Sequence, residues 1–255
     1  MSSPFDISRI NRVGEAIPQA KQGVLDPQSP CGACAVRHLT FCAPLDQEEL
    51  AEVSKIVSSV EMDPGEALFD EGEEAGYVFS VTAGAMKLYK LLPDGRRQVT
   101  GFLYAGDFLG LAAQDLYAYS AEAVTHAMLC RFPRRRLEEL FERFPKMERR
   151  LLGMAGHELV AAQEQMLLLG RKTAKEKIAS FLLSLSRRAV QRGQPDNPIS
   201  LPMSRNDIGD FLGLTTETVS RSFTILKTSG LISLKAGGKV ELTDREGLEE
   251  IAEGN

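Results

Sequence analysis

The sequence predicts an α+β fold in three successive parts: an antiparallel β-roll, a long helix, and a C-terminal winged helix-turn-helix. Three observations predict it. Glycines at 65, 72, 76, 84, 95, 101, 106 and 110 punctuate short apolar runs such as YVFSV, MKLYK and QVTGFL, the texture of short strands joined by tight turns. After Pro145 that punctuation gives way to an apolar series at helical spacing. Between Ser204 and Gly230 two short amphipathic stretches, each opened by a hydroxyl residue and closed by a glycine, follow one another across a tight turn.

Composition sets the frame. The 255 residues are 43% hydrophobic and 25% charged, which suits folded domains and excludes global disorder or a fibrous repeat. No run approaches the roughly 20 apolar residues that span a bilayer, and MSSPFDISRI lacks the basic and apolar regions of a signal peptide. A cytoplasmic protein with no membrane partner is therefore expected. The net charge of −5 hides an asymmetry. Residues 1–170 carry 17 Lys/Arg against 24 Asp/Glu, residues 171–240 carry 12 against 5, and residues 241–255 carry 1 against 6. Since salt screens charges beyond about 10 Å at 0.1 M, the basic block can bind phosphates whatever the overall sign.

In chain order, residues 1–30 hold Pro4, Pro18, Pro27 and Pro30 with little apolar periodicity and read as a flexible arm. Residues 31–144 read as a cysteine-bearing segment followed by the β-roll, with Pro93-Asp94-Gly95 as a hairpin turn. Residues 145–170 form the long helix. Within it Leu152, Ala155, Leu159, Ala162 and Met166, continued by Leu169, are spaced alternately by three and four, the heptad seam of two helices packed along their length. A homodimer is the expectation and a helix lying on its own β-domain the alternative. Residues 171–255 make the last domain, opening with an amphipathic helix that carries Ile178, Phe181, Leu182 and Leu185 on one face.

In that domain Ser204 and Asp207 form a helix-capping pair ahead of inward-facing Ile208, Phe211 and Leu212, and Gly213 ends the helix. Thr215 or Thr216 caps a second helix with Val219, Phe223 and Leu226 inward. Its outer face presents Thr216, Glu217, Ser220 and Arg221, with Thr224 one turn on. Arginine can pair with guanine O6 and N7, and glutamate can accept from cytosine N4, so these types suit a major groove of double-stranded DNA. The plainer reading is a surface ion pair between Glu217 and Arg221. The following ISLKAGGKVELT reads as a two-stranded wing whose Lys235 and Lys239 would neutralise phosphates.

The four cysteines are Cys31, Cys34 and Cys42, spaced C-x2-C-x7-C, and the distant Cys130 in AMLCRF. A disulfide framework does not suit a cytosolic chain of this length. On spacing, tetrahedral zinc and a [4Fe–4S] cluster fit equally. Cys130 as an inert core thiol and Cys31–Cys34 as a redox pair are further alternatives. His38, His126 and His157 are scattered and read as surface or core residues.

The run Glu217-Thr218-Val219-Ser220-Arg221 and the segment MLLLGRKTAKEKIASFLLSLSRR resemble the FNR branch of the cyclic-AMP receptor protein/FNR superfamily of transcription regulators, a likeness that covers Cys31 to the end. The resemblance implies a cyclic-nucleotide-binding-like jelly roll, base contacts by Glu217, Ser220 and Arg221, TTGAT-type palindromic sites, and contact with RNA polymerase. It also implies that Cys31, Cys34, Cys42 and Cys130 hold an oxygen-labile [4Fe–4S] cluster, and that Ala162 stands where the family's best-known member has an acidic residue opposing dimerisation. Gly106-Asp107-Phe108-Leu109-Gly110 is followed by no arginine before Arg131, unlike the phosphate cassette of the cyclic-nucleotide branch, so no cyclic nucleotide is expected. The rivals are a cluster-free activator of the FixK type and, from another class, an iron–sulfur or zinc enzyme. No Ser/His/Asp set, H-E-x-x-H or phosphate loop supports the enzyme.

Overall fold

A computed structural model describes residue 26, residues 29–112 and residues 115–254. The arm expected over residues 1–30 lies, apart from Asp26, Ser29 and Pro30, outside the described residues. The elements run, in order, 3-10 turn Arg37–Leu39, α1 Gln47–Ser54, β1 Ser58–Met62, β2 Ala67–Phe69, β3 Tyr77–Ala83, β4 Ala85–Leu91, β5 Arg97–Tyr104, β6 Phe108–Leu109, β7 Ser120–Ala123, β8 Ala127–Pro133, α2 Arg134–Arg143, α3 Pro145–Arg171, α4 Ala174–Gln191, β9 Ile199–Ser200, α5 Arg205–Leu212, α6 Thr216–Thr228, β10 Ile232–Lys235, β11 Lys239–Leu242 and α7 Arg245–Glu253. No helix among the described residues is long and apolar enough to cross a membrane.

The glycine-punctuated region folds as two antiparallel four-stranded sheets, β1-β8-β3-β6 and β2-β7-β4-β5. They enclose Phe69, Phe79, Val81, Met86, Leu103, Leu109 and Leu129. The hairpin read at Pro93-Asp94-Gly95 joins β4 to β5, with Gly95 at φ 84° donating its N–H to the Leu92 carbonyl at 2.9 Å. Strand period explains how this roll meets the next domain. In MKLYK, Met86 points into the roll while Lys87 and Tyr89 point away, yet both are buried, at 5% and 9% exposure. Their outer face is covered by the C-terminal domain. A bulge in β5 extends that face: Leu88 pairs with Gly101 and Tyr89 with Val99, so Thr100 is extra and both Val99 and Phe102 turn outward into the C-terminal core.

Helix α3 starts with Pro145 at its first turn, where a missing N–H is tolerated, and runs 27 residues. Lys172 breaks out to extended backbone, and Thr173 with Glu176 builds a capping box that starts α4. The C-terminal core gathers Ile178, Phe181 and Leu182 of α4 with Ile208, Leu212, Val219, Phe223 and Leu226. Strand β9, between α4 and α5, adds a third strand to the wing through β11. Helices α1, α2 and α7 are additions to the sequence reading; α1 and α7 carry their own caps at Asp46 and Asp244.

Candidate nucleic-acid interface and cysteine site

The helix-turn-helix forms where the sequence places it. The Ser204 hydroxyl accepts from the Asp207 N–H at 3.0 Å while Asp207 accepts from the Ser204 N–H at 3.1 Å. Gly213 caps α5 in the left-handed region at φ 63°. The turn also requires Gly209, where a β-carbon would lie 2.6 Å from the Leu214 carbonyl oxygen. Thr215, not Thr216, caps α6, accepting from the Thr218 N–H at 3.1 Å. Thr216 instead donates to the Asn206 side chain at 3.0 Å and ties the two helices together.

Val219, Phe223 and Leu226 are buried, which fixes the rotation of α6 and leaves Glu217, Ser220, Arg221 and Thr224 exposed along one face. The hydroxyls of Ser220 and Thr224 donate back to the carbonyls of Thr216 and Ser220, so their oxygens face outward as acceptors. Glu217 and Arg221 form the ion pair weighed from the sequence, at 2.6 Å. An exposed pair of this kind is worth only about 0.3–0.5 kcal/mol and exchanges readily for a base. On the wing, Lys235 pairs with Glu241 at 2.7 Å, and Lys239 stands exposed across from it.

Helix α5 is held from three sides. Its C-terminal carbonyls, which a helix cannot satisfy internally, receive Gln98 of β5 on Asp210 at 2.6 Å, Gln165 of α3 on Phe211 at 2.9 Å and Lys177 of α4 on Leu212 at 3.1 Å. At its first turn Asp207 meets Lys87 and Arg97 of the roll, each at 2.9 Å, and Arg97 also reaches Asp210 at 2.9 Å. Lys87 is shared with Glu122 at 2.7 Å. Burial pushes the Asp207 carboxyl up, but hydrogen bonds from Ser204 and Lys87 outweigh it and hold it below the usual carboxylate range. Sequence reading finds the capping role of Asp207 and misses the ionic one, because Lys87 lies 120 residues away.

On α3, Leu152, Leu159 and Met166 are 71%, 61% and 71% exposed. Ala162 is exposed too, and Ala155 is partly covered. The seam thus forms an apolar stripe that its own β-domain leaves uncovered.

The four cysteines, three from the segment Cys31–Cys42 and one from β8, line one pocket, with Arg37, Thr40 and Phe132 among its walls. Cys130 is fixed in β8, in register with Ser59 of β1 and Ser80 of β3. Cys31, Cys34 and Cys42 sit on the turns around the 3-10 helix. Burial and the neighbouring thiols push Cys31 up to about 11 and Cys130 up to about 12, and push Cys42 up as well. Among the described residues no three His, Cys, Asp or Glu side chains are drawn together into a metal-holding group. Cys42 is buried, and Cys31 and Cys130 pack on the same apolar cluster, which also contains Met147 and Leu151 of the first turns of α3.

The Crp-like helix-turn-helix domain model matches residues 176–251, and the cyclic nucleotide-binding domain model matches residues 59–144. The chain is 45% identical over 205 residues to the transcriptional activatory protein AadR of Rhodopseudomonas palustris, covering 80% of this chain and 86% of that one. It is 41% identical to the transcriptional activator protein FnrL of Cereibacter sphaeroides (84% and 88% covered) and 40% identical to the nitrogen fixation regulation protein FixK of Bradyrhizobium diazoefficiens (87% and 93%). The chain belongs to the Crp/FNR family of transcription regulators. Among solved structures, FixK2 from Bradyrhizobium japonicum superposes with a TM-score of 0.71 at 38% identity, covering 77% of this chain and 97% of that one.

Membership confirms the resemblance drawn from the E-x-x-S-R run, the fold and a DNA-binding helix-turn-helix, and the enzyme alternative falls away because the relatives are regulators. It also gives the docking of α5 a meaning: in this Crp/FNR regulator the helix supporting the recognition helix is anchored to the N-terminal domain. Within the run Gly106–Gly110, Asp107 is engaged by Arg188 of α4 at 2.9 Å.

Proposed function

We propose that the chain is an oxygen-responsive transcription regulator that holds a [4Fe–4S] cluster on Cys31, Cys34, Cys42 and Cys130 and binds TTGAT-type palindromic DNA as a homodimer. It works in the cytoplasm, takes no cyclic nucleotide and acts through RNA polymerase. Residues 31–144 form the sensor, 145–170 the dimerisation helix and 171–255 the DNA-binding domain. Thr216, Glu217, Ser220 and Arg221 face the major groove, Lys235 and Lys239 face phosphates, and Leu152, Ala155, Leu159, Ala162 and Met166 face the partner.

The observation that carries this reading is the convergence of all four cysteines on one pocket. The donor set fits the group: four sulfurs, three on adjustable turns and one on a fixed strand, with burial and mutual repulsion that a cationic iron centre would offset. When bound, the cluster supplies an oxygen-labile cross-link among these cysteines. The chain's own contribution is packing. Cys42 shares a core with Met147 and Leu151, so the arrangement of the Cys31–Cys42 segment against β8 bears directly on the start of the dimer helix. Two symmetric recognition helices then read two half-sites one helical turn apart.

Iron and sulfide assays on anaerobically purified protein, with DNA binding measured before and after air, test the reading. The expected result is about four irons per chain for a cubane held by four cysteines, with DNA affinity falling in air. Cys130→Ala is expected to lose the cluster; an unchanged visible spectrum removes Cys130 from the site. A second reading, a cluster-free regulator of the FixK type, is supported by the likeness to FixK and FixK2. Iron-free protein that binds DNA equally with and without oxygen decides for it.

A further inference from the structure

The pocket lined by the four cysteines has a cationic wall in Arg37, and apart from the thiols its other walls are hydroxyl and apolar side chains. The turn that carries Arg37 is held in two ways. The Thr40 N–H and hydroxyl both donate to the Arg37 carbonyl, at 3.1 and 2.9 Å, and the Thr40 hydroxyl oxygen accepts from the Cys42 N–H at 3.2 Å, which ties the turn to one of the cysteines. Leu39, at the end of the same turn, packs onto Gly106 of the roll, where a β-carbon would lie 2.6 Å from the Leu39 β-carbon.

Arg37 is half-buried, yet among the described residues its side chain makes no ion pair and no hydrogen bond. The similarly half-buried Arg97 and Arg188 both meet carboxylates. What Arg37 does face is sulfur: burial and Cys34 push the Cys31 thiol up, and a Ser54 hydrogen bond and the Arg37 charge act against them. Four thiolates on a [4Fe–4S] core of charge about +2 leave a net charge of about −2, and net charge is among the quantities that set the potential of such a group.

We propose that Arg37 is the counter-charge of the loaded cysteine site and slows its loss in air, an inference that rests on the cluster reading given above. Dioxygen takes one electron from the iron centre and becomes superoxide, which leaves the thiolate-bound group one unit less negative. A neighbouring positive charge stabilises the more negative side of that step more strongly, so Arg37 opposes it. Redox titration under argon and decay of the visible absorbance in air test this on the full chain, reconstituted as wild type, Arg37→Gln and Arg37→Lys. Arg37→Gln is expected to shorten the lifetime in air by about three- to tenfold and to lower the midpoint potential, by about 59 mV for a tenfold change in a one-electron equilibrium. Arg37→Lys keeps the charge on a differently shaped side chain and should stay within about twofold of wild type. Neither substitution strands a hydrogen-bond partner, and Arg37→Ala serves as a second neutral variant. If the neutral variants take up no iron while unfolding thermally as wild type does, loading restored in Arg37→Lys supports the charge role, and loss in all three overturns it. Equal potential and lifetime in wild type and Arg37→Gln overturn the proposal and leave the cluster reading intact. Wild type that takes up no iron overturns both, because the group on which Arg37 acts is then absent.

Discussion

Arg221 extends from the first turns of α6 with only an exposed ion pair to Glu217 to break before it can reach a base. Arg221→Ala is therefore expected to cost about 1–3 kcal/mol per half-site and to relax preference at one guanine, read by binding to a panel of single-base site variants. Lys239→Ala should instead weaken every sequence evenly and lower the salt slope by about 1 per half-site. Unchanged sequence preference in the arginine variant would place the reading helix elsewhere. Asp207 carries a different kind of consequence. Its folded carboxyl lies below the ordinary value, so its contribution is present above pH ~4, the unfolded carboxyl's range, and is lost as pH falls through the folded value. Asp207→Asn is expected to destabilise by about 2–4 kcal/mol at neutral pH, less than a fully orphaned charge because Lys87 keeps Glu122, and to flatten the acid limb of the stability profile below pH ~4. Denaturant unfolding across pH checks both; an acid limb as steep as wild type assigns that limb to other carboxylates.

At the scale of elements, the seam on α3 makes the sharpest claim. Leu152, Leu159 and Met166 are mostly exposed on one chain, and a contiguous apolar stripe of this length is rare on a lone helix. Leu159→Asp should yield monomer even with the cysteine site loaded, because a carboxylate would be buried without a partner. Ala162→Asp should shift cluster-free protein toward monomer through repulsion between two like charges meeting on the symmetry axis. Sedimentation separates the cases: dimeric Leu159→Asp ends the seam assignment, and an unaltered Ala162→Asp ends the charge argument. This seam, the strand-and-turn rhythm of the roll and both helices of the helix-turn-helix were legible because each rests on local periodicity and local caps. Strand β9 was not, since two residues carry no period and its pairing with β11 is made some forty residues further along the chain. Helix α1 had a legible signal in the Asp46–Glu49 capping box, overshadowed by the neighbouring cysteines. The meeting of Cys130 with the Cys31–Cys42 segment depends on β8 lying between β1 and β3, a matter of topology that spacing cannot express.

For the whole molecule, the buried outer face of β4 and β5 is the feature with the widest reach. A strand reading MKLYK alternates apolar and polar residues as though one face met water, yet Lys87 is enclosed against Asp207 and Glu122. Beside it Phe102 packs at a tilt against Phe211, with ring centroids 5.2 Å apart across the domain boundary, and Phe211 packs at a tilt against Phe181 at 5.6 Å within the C-terminal domain. Ionic contacts supply direction here and the aromatic cluster supplies buried area, so the pair sets one orientation of α5, and with it α6, relative to the roll. Two domains joined through such a contact should unfold together. Weakening both components should uncouple them without dissolving either core: Phe211 is only partly buried, and the centres of both cores lie elsewhere. Arg97→Ala combined with Phe211→Ala is accordingly expected to split a single calorimetric transition into two and to raise the radius of gyration seen by X-ray scattering, while the far-ultraviolet dichroism of the folded protein stays unchanged. Coupling between the two substitutions should be small, because Arg97 acts on Asp207 and Asp210 whereas Phe211 acts on Phe102 and Phe181. A double variant that still melts in one step at unchanged radius would mean that the contacts left in place, Lys87 on Asp207 and Gln98 on Asp210 from the roll with Gln165 and Lys177 from α3 and α4, suffice to hold the orientation of the helix-turn-helix.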